Sequence, residues 1–496
     1  MCVCIRIRHV KCDEGKPTCK KCQDYKVVCD GYLPVADQKP TQNKPQTAHT
    51  HSKNDARPLF PLPRAYLDPD ALRDDSWAAF FHHFRTSTIT DLALPPYSTC
   101  FWDRHVLPLS NAIPAVRHAA TALGVAHRAF LSESFDLSAP GEKQRLEILA
   151  VQQYNRAIQQ LLPHASSGGP MNVRIIITCS LLFYCLENIR GCSAESLQHL
   201  RAGSQLVLSL PPRSLTETGQ SGTNIDDSIR ELSNLFARLG VEASLYEEDE
   251  VVPDLRSYMD PISNIPEDPF LPFPDFTVAR NSLADINIDL GTYCNKSFVL
   301  ARNRRRDLSA GSSPHSMSPD DRLDLSTAVL SDIMSLGPTY ELQHQHIVSR
   351  FRCWRRRFDR TVAEAEKRGP SKRERQEIMM LELRRRVWET GLDEVPAGDP
   401  KQADSVLDQA ELVVRSFSSK HPMFTLESNV MPSVSFICFY SSEERHRRRA
   451  LDILRSARMR EGVWDSDHLA RNIETQFPEL KLRGTVSTAS SQSSPA

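Results

Sequence analysis

The feature that most constrains this chain is a dense group of cysteines at its N-terminus. Six of the thirteen cysteines fall within the first 29 residues. Disulfide frameworks are typical of small secreted scaffolds, whereas this chain has 496 residues, so the group indicates a metal site instead. The two-residue loop between Cys19 and Cys22 lets two thiolates hold one tetrahedral ion, and the six-residue spans to Cys12 and to Cys29 leave room for a helical turn. Such regular spacing disfavours the alternative of unligated cysteines in an unstructured arm.

The residues between these cysteines are equally specific. The run Cys-x-Arg-x-Arg-His-x-Lys-Cys-Asp-Glu-x-Lys-Pro-x-Cys-x-x-Cys, at positions 4 to 22, is followed by Cys-x-Gly-Tyr at 29 to 32. It resembles the six-cysteine binuclear zinc cluster of fungal transcription factors. The resemblance implies two zinc ions bridged by Cys2 and Cys19. One ion would take Cys2, Cys19, Cys22 and Cys29, and the other would take Cys2, the family's second cysteine, Cys12 and Cys19.

The second cysteine of the family pattern is where this sequence departs from it. A two-residue spacing from Cys2 ends at Ile5, which cannot bind zinc, and the nearest thiol is Cys4. Three explanations stay open: Cys4 binds through an altered loop, one zinc has three protein ligands, or Met1 is not the biological start. The predicted metal ligands are Cys2, Cys4, Cys12, Cys19, Cys22 and Cys29.

Basic residues inside the cluster indicate that its partner is DNA. Residues 6–11 are predicted to form a short helix, and modules of this type place a helix in the major groove of DNA. The resemblance implies that Arg8 and His9 face base edges, usually of a CGG-like triplet, and that Arg6 and Lys11 contact phosphates. His9 is a weaker reader than lysine or arginine, because a neutral imidazole offers at most one donor to a guanine edge. For any single residue, a generic solvated basic face is the alternative.

Charge is distributed unevenly along the chain. Residues 1–64 carry 12 Lys and Arg against 6 Asp and Glu, so they have a net charge of +6, and the remaining residues have a net charge of −7. A basic head on an acidic body is expected of a phosphate-binding module attached to a regulatory domain. Lys20 and Lys21, between the fourth and fifth cysteines, are predicted to bind phosphates and to contribute to nuclear entry.

Composition divides the chain into four regions. Residues 1–34 form the predicted cluster, and residues 35–65, rich in proline and polar residues, are predicted to be a disordered linker. The linker lacks the seven-residue apolar repeat of a coiled coil. Residues 66–482 have the composition and periodicity of a large all-α domain, and residues 483–496 are a Ser/Thr-rich tail predicted to be disordered.

Helical periodicity is clearest in the first half of the large domain. Apolar residues recur every three or four positions in residues 76–84, 113–131 and 146–161. The apolar run 175–186 is shorter than the roughly twenty residues that cross a bilayer, so it is predicted to be the buried central helix. Further helices are predicted in residues 323–358, 373–388 and 403–417, and loops in residues 209–224, 252–274 and 309–320.

The large domain carries a second resemblance. The motifs Phe101-Trp102, 114–119, 447–450 and 460–465 look like parts of the all-helical region that follows the zinc cluster in many fungal regulators. We expect Trp464 and the arginines at 447–449 to pack helices together rather than to bind effectors. Arginine runs at 304–306, 355–357 and 384–386 are likewise expected to be structural.

Motifs typical of enzymes are missing from the sequence. It contains no Gly-x-x-x-x-Gly-Lys loop, Gly-x-Ser-x-Gly elbow or His-Glu-x-x-His pair. Closed thiolate sites also lack the open coordination position that metal-dependent catalysis needs. The remaining cysteines are predicted to be small buried apolar residues; they are Cys100, Cys179, Cys185, Cys192, Cys294, Cys353 and Cys438.

Together these features predict a non-enzymatic regulator. The predicted function is zinc-dependent, sequence-specific DNA binding at RNA polymerase II promoters, in the nucleus. Its predicted partners are double-stranded DNA and the transcription machinery, with a homodimer as a further option and no membrane. The alternative, suggested by Ile5, is a regulator with a defective cluster that acts through protein–protein interaction without contacting DNA.

Overall fold

The computed structural model describes residues 74–92, 101–132, 141–167, 169–210, 224–247, 250–259, 268–309, 338–392, 400–417, 422–441 and 443–480. All of them belong to one compact unit, Arg57–Ala496. The predicted zinc cluster, the linker and the Ser/Thr tail lie outside the described residues.

Helices dominate the described residues. The helices are α1 Asp74–His83, α2 Ile89–Leu92, α3 Leu107–Ala112, α4 Pro114–Ser132, α5 Glu142–Ser167, α6 Pro170–Arg190, α7 Ser193–Leu208, α8 Asn224–Glu247, α9 Phe276–Ser309, α10 Pro338–Arg368, α11 Lys372–Leu392, α12 Pro400–Ser416, α13 Val430–Tyr440, α14 Glu444–Ala457 and α15 Ser466–Gln476. Short π-helical segments lie at Phe84–Thr88 and Trp102–Val106, and 3₁₀ turns at Arg256–Tyr258 and Pro478–Leu480. The prediction of a large helical domain is confirmed for this part of the chain.

One small sheet is an addition to that prediction. Its strands are β1 Met423–Thr425, β2 Met459–Glu461 and β3 Trp464–Asp465, in the order β1-β2-β3. β1 pairs in parallel with β2, and β2 pairs antiparallel with β3. The hairpin between β2 and β3 turns at Gly462, whose φ of 52° lies in the left-handed region that favours glycine. The motif at residues 460–465 is therefore a β-hairpin rather than part of a helix.

Helix α6 is the centre of the fold. The predicted twelve-residue apolar run is the middle of this 21-residue helix, which ends at Gly191 in a left-handed conformation. Among the described residues, only Met171–Arg190 has the length and composition of a membrane span. The whole helix is therefore long enough to cross a bilayer, although the apolar run 175–186 is not. Because 83% of its most apolar window is buried inside the fold, we interpret α6 as a core helix.

Two clusters of buried residues stabilise the unit. The first core is built mainly by α4 to α8 and α12 to α15 with the small sheet. The second core lies among α9, α10 and α11. Helix α11 serves both, because Met380 and Leu383 face the first core whereas Leu381 and Trp388 face the second.

Most periodicity-based predictions are confirmed. The residues of α4 predicted to face the core, from Val116 to Phe130, are buried, and in α5 Leu146, Leu149 and Tyr154 are buried while Ile158 is half-buried. Helix α10 begins at Pro338, and residues 323–337 of the predicted helix lie outside the described residues. The prediction of buried cysteines is only partly right, because Cys179, Cys185 and Cys438 are buried, but Cys192, Cys294 and Cys353 are only partly buried, and Cys100 lies outside the described residues.

Candidate functional site

The metal and DNA-binding residues predicted from the sequence all lie between positions 2 and 29, outside the described residues. Their assignments therefore stay predictions. Within the described residues, no group of three or more His, Cys, Asp and Glu side chains could hold a metal ion. The helical unit has several buried polar clusters of its own.

The β2–β3 hairpin places a buried acid against a helix N-terminus. The Glu461 carboxylate accepts hydrogen bonds from the backbone N–H groups of Asn429, Val430 and Met431 at 2.9, 3.1 and 2.8 Å. These groups are the unpaired donors at the start of α13, where the helix dipole also favours negative charge. Burial raises the pKa of Glu461, and the three amide donors oppose that rise. The carboxylate thus fastens the hairpin to α13.

A polar seam separates the two cores; we use this name for Glu242, Glu427, Arg238 and Arg384 with Ser428. Glu242 accepts from the backbone N–H and the hydroxyl of Ser428 at 2.9 and 2.8 Å and lies 3.8 Å from Arg384. Burial raises the pKa of Glu242 to about 8. Burial acts the same way on Glu427, but Arg238 and Arg384 outweigh it and lower the pKa of that carboxyl. The surroundings therefore shift the pKa values of the two acids in opposite directions, upward for Glu242 and downward for Glu427.

Two chains of a hydroxyl, an imidazole and a carboxylate have the composition of a catalytic triad. In one, the Thr88 hydroxyl lies 3.1 Å from His127 Nδ1, and His127 Nε2 lies 3.0 Å from Asp91. In the other, the Ser441 hydroxyl lies 2.7 Å from Nδ1 of His446, whose Nε2 lies 3.2 Å from an Asp404 oxygen. Both hydroxyls are buried, at 0% and 3% exposure, so a substrate has no path to them. These chains connect helices rather than form a nucleophilic site.

Two of the three arginines at 447–449, Arg447 and Arg449, reach other elements as predicted, whereas Arg448 pairs with Glu444 within its own helix. Arg447 lies over the Phe477 ring, with its guanidinium carbon 4.4 Å from the ring centre. Arg449 donates to Glu411 and Asp408 of α12 at 2.7 and 2.6 Å. The arginine run at 384–386 on α11 is structural in the same way. Arg384 of the polar seam donates to the Asn429 side chain and to the Ser428 carbonyl. These contacts confirm the packing role expected for Arg384, Arg447 and Arg449, but not for Arg448.

A cavity of about 270 Å³ lies beside the hairpin. It is bounded by the end of α6, the start of α7, the end of α8, the hairpin and the first turns of α15. Trp464 forms one wall, 8% exposed, and meets the Tyr246 ring edge to face at 5.2 Å. Three arginines line the cavity: Arg190, Arg460 and Arg471. Trp464 therefore has the predicted packing role and also borders a space that can hold a small molecule.

Sequence reasoning did not identify Glu242, Glu461 or Arg471 as candidate residues. Glu242 could have been noticed, because it lies between the buried residues Leu239 and Ala243 on a strongly amphipathic helix. Arg471 had no comparable signal, since it is an ordinary exposed arginine on a short surface helix. Its position at a cavity depends on four other elements that meet there.

Comparisons with known proteins find a family match within the helical unit. Residues 79–278 match the family model described as the fungal specific transcription factor domain. The chain is 31% identical over 259 residues to the aspercryptin biosynthesis cluster-specific transcription regulator of Emericella nidulans. The aligned region covers 50% of this chain and 40% of that protein. It is 32% identical over 206 residues to a transcription regulator of Purpureocillium lilacinum, covering 40% of this chain and 46% of that protein. No solved structure matches the chain.

These matches support the interpretation of the chain as a fungal transcription regulator. The chain spans less than half the length of the two curated relatives. The matched family and both relatives are transcription regulators and not enzymes, in agreement with the predicted absence of catalysis.

Proposed function

We propose that this chain is a zinc-dependent, sequence-specific DNA-binding transcription regulator that acts in the nucleus at RNA polymerase II promoters. One observation carries the proposal: the same chain combines the Cys12, Cys19, Cys22 and Cys29 spacing with a match to the fungal specific transcription factor domain over residues 79–278. The first feature suits DNA binding and the second suits regulation. Its other proposed partners are the transcription machinery and, for pairing on DNA, a second copy of the chain.

The proposed division of labour follows from ligand chemistry. The N-terminal thiolates would hold two zinc ions and so fix a segment too short to fold around an apolar core. Arg8 and His9 would then face base edges, and Arg6 and Lys11 would face phosphates. Lys20 and Lys21 would add phosphate contacts outside the reading helix, which position the protein without carrying sequence information.

The uneven charge distribution supports this division. The net charge of +6 in residues 1–64 attracts DNA, whereas the net charge of −7 in the remainder opposes non-specific binding of the body to phosphates. DNA affinity would therefore reside in the N-terminal region, and the helical unit would serve regulation.

A second candidate function rests on Ile5. Because Ile5 occupies the position of a family ligand, the second zinc site could be lost and with it the orientation of the reading helix. The chain would then regulate transcription through protein–protein contacts alone.

Zinc content tests the first part of the proposal. Elemental analysis of the purified full chain should return two zinc ions per chain, or one tightly and one weakly held if Cys4 replaces the missing ligand poorly. Cys19→Ser should release both ions because Cys19 is the proposed bridge, whereas Cys29→Ser should first release one. A folded chain without zinc would contradict the proposal.

Binding to DNA tests the second part. Arg8→Ala should cost about 1–3 kcal/mol on the preferred duplex and much less on random duplexes. Lys20→Ala should weaken binding to all duplexes alike and lower the salt slope by about one unit per phosphate contact removed. Lys53→Ala, in the predicted linker, is the matched control and should change neither.

Ile5→Cys separates the two candidate functions. By completing the ligand set it should raise zinc retention and tighten specific binding together. If it changes neither, and Arg8→Ala has no sequence-dependent effect, the regulator that does not contact DNA becomes the better account.

A further inference from the structure

The cavity beside the β2–β3 hairpin has an excess of positive charge. Three arginines line it, Arg190, Arg460 and Arg471, against two acids, Asp465 and Asp467. Asp465 is already engaged, because it pairs with Arg460 and also accepts from the backbone N–H of His468 at 2.8 Å. The exposed Asp467 is the acid that remains. The lining therefore favours an anion.

Arg471 is the cation best placed to receive such an anion. Arg190 is paired with Glu187 at 2.7 Å, and Arg460 is held by Asp465, the Ile189 carbonyl and the face of the Phe130 ring. Arg471 instead donates only its Nε–H, to the Asp467 carbonyl at 3.1 Å, and its terminal NH₂ groups have no partner among the described residues. Because the side chain is exposed, pairing it with a ligand carries little desolvation cost.

Backbone donors also border the cavity. Helix α7, of 16 residues, begins at Ser193 on the cavity wall, and its N-cap residue Cys192 makes no side-chain capping hydrogen bond. Glu195 in the first turn offsets part of the positive end of the helix dipole, so the first N–H groups offer hydrogen bonds to a ligand rather than net positive charge. The start of α15 differs, because Asp465 caps it.

The opposite wall is aromatic, since Trp464 and Tyr246 line the cavity and their rings meet edge to face at 5.2 Å. The indole N–H of Trp464 is buried away from the cavity, so this wall offers apolar contact to a ligand rather than a hydrogen-bond donor.

We propose that this cavity binds a small organic anion, a carboxylate or a phosphate monoester with a planar apolar body. The charged group would lie toward Arg471 and the start of α7, and the apolar body would lie against Trp464 and Tyr246. A volume of about 270 Å³ is near the lower limit of small-molecule pockets, so the ligand is small. The inference does not depend on DNA binding, since every residue that carries it belongs to the helical unit.

Calorimetric titration of the full chain with four probes tests the proposal. Phenyl phosphate and benzoate carry a ring and an anionic group, inorganic phosphate has the charge alone, and benzyl alcohol has the ring without charge. We expect saturable binding of phenyl phosphate, benzoate or both with a Kd of about 1 mM or tighter, and weaker binding of inorganic phosphate and benzyl alcohol. The preferred ring-bearing anion identifies the charged group. Failure of both to bind, or equal binding of benzyl alcohol, would overturn the proposal.

Variants locate the site. Arg471→Gln should weaken the ring-bearing anion at least tenfold without changing the thermal midpoint of the unliganded chain, because Arg471 is exposed and makes no ion pair in the described structure. Arg352→Gln, an exposed arginine on α10 outside the cavity, is the matched control and should bind normally. Equal affinity of Arg471→Gln and the parent chain would overturn the assignment. Cys19→Ser should keep the anion affinity even if zinc and DNA binding are lost.

Discussion

The two cores of the helical unit bury apolar surface in different ways. In the first core, helices such as α4 and α6 contribute mainly aliphatic side chains and alanine. The second core is an aromatic stack: Trp354 lies nearly parallel to Phe351 and Phe358, at 5.9 and 4.9 Å between ring centres, and Phe351 lies at 4.8 Å from Trp388. Its helix α10 is at the same time dense in arginine.

The two indole N–H groups of the second core are paired with acceptors on α9. The Trp354 indole N–H donates to the Ala279 carbonyl at 2.6 Å, and that of Trp388 donates to Asn287 at 2.8 Å. Arg357 is only 5% exposed; it lies over the Phe273 ring at 4.2 Å and donates to the Leu271 carbonyl. Arginine density in a sequence therefore does not measure exposure, because the flat guanidinium can stack on aromatic faces while its N–H groups reach carbonyls.

The largest expected effect comes from removing the centre of the aromatic stack. Trp354→Ala should cost about 3–5 kcal/mol in free energy of unfolding, and the loss should fall on α9, α10 and α11 first. Hydrogen exchange read by mass spectrometry should show lost protection there while α4 and α6 stay protected. Trp354→Phe, which keeps a ring but not the N–H, should cost less, about 1–3 kcal/mol. Uniform loss of protection would mean that the two cores unfold as one.

The polar seam between the cores should make stability depend on pH. Burial raises the pKa of Glu242 to about 8, while the unfolded chain releases that proton near the usual glutamate value of about 4.3. Between these two pKa values, Glu242 keeps its proton in the folded state and loses it in the unfolded state. This proton stabilises the folded state fully below the unfolded pKa, and the stabilisation is lost as pH rises through about 8, by up to about 1.4 kcal/mol per pH unit.

Glu242→Gln should remove this slope, because the amide keeps the neutral form at every pH. Urea titrations of the parent chain and the variant between about pH 5 and pH 8 measure it. Glu364→Gln, at an exposed position of α10, is the control and should leave the slope as it is. A slope that survives Glu242→Gln would assign the proton to another group.

Two glycines mark places where helices approach closely: Gly203 of α7, which lies against α8 in the first core, and Gly291 of α9, which lies against the other part of α8. A Cβ on Gly203 would lie 2.4 and 2.6 Å from ring atoms of Phe236, which is fully buried between α7 and α8. Gly203→Ala should therefore cost about 1–3 kcal/mol by overpacking. Gly291→Ala is the matched change on α9, where the nearest atom would be a methyl of Val241 at 2.9 Å. Thermal unfolding should show a smaller loss there, because the approach to the Val241 methyl group is less close than that to Phe236 and alanine favours the helix.

The smallest effect is expected for an arginine that belongs to neither core. Arg448 pairs with Glu444 one helical turn away, and its side chain is 34% exposed. Arg448→Gln should change the free energy of unfolding by at most about 0.5 kcal/mol. The same substitution at Arg357 should cost clearly more, since it would leave the Phe273 face and the Leu271 carbonyl without their partner. Equal effects would remove the distinction between surface and core arginines.

The sequence predicted much of the first core and little of the second. Val116, Leu123 and Phe130 repeat at helical spacing and are all buried in α4. The same method located α10 and α11, but it could not tell that Trp354 and Trp388 meet in one stack, since they lie on different helices. For the candidate sites, the motif at 460–465 was singled out, but its hairpin form and the cavity beside it were not predicted.

What the sequence alone determined is local: the approximate position of the most strongly periodic helices, which face of each is apolar, and the cysteine spacing that suits zinc. Helical periodicity and metal-ligand spacing involve residues a few positions apart, so they can be read directly along the chain. Only the tertiary structure decided that Glu461 caps a helix that begins about thirty residues earlier, that α11 serves two cores, and that Arg471 and Trp464 border one cavity. Such contacts depend on how whole elements pack, and the free energy of packing comes from many neighbours at once rather than from any one stretch of residues.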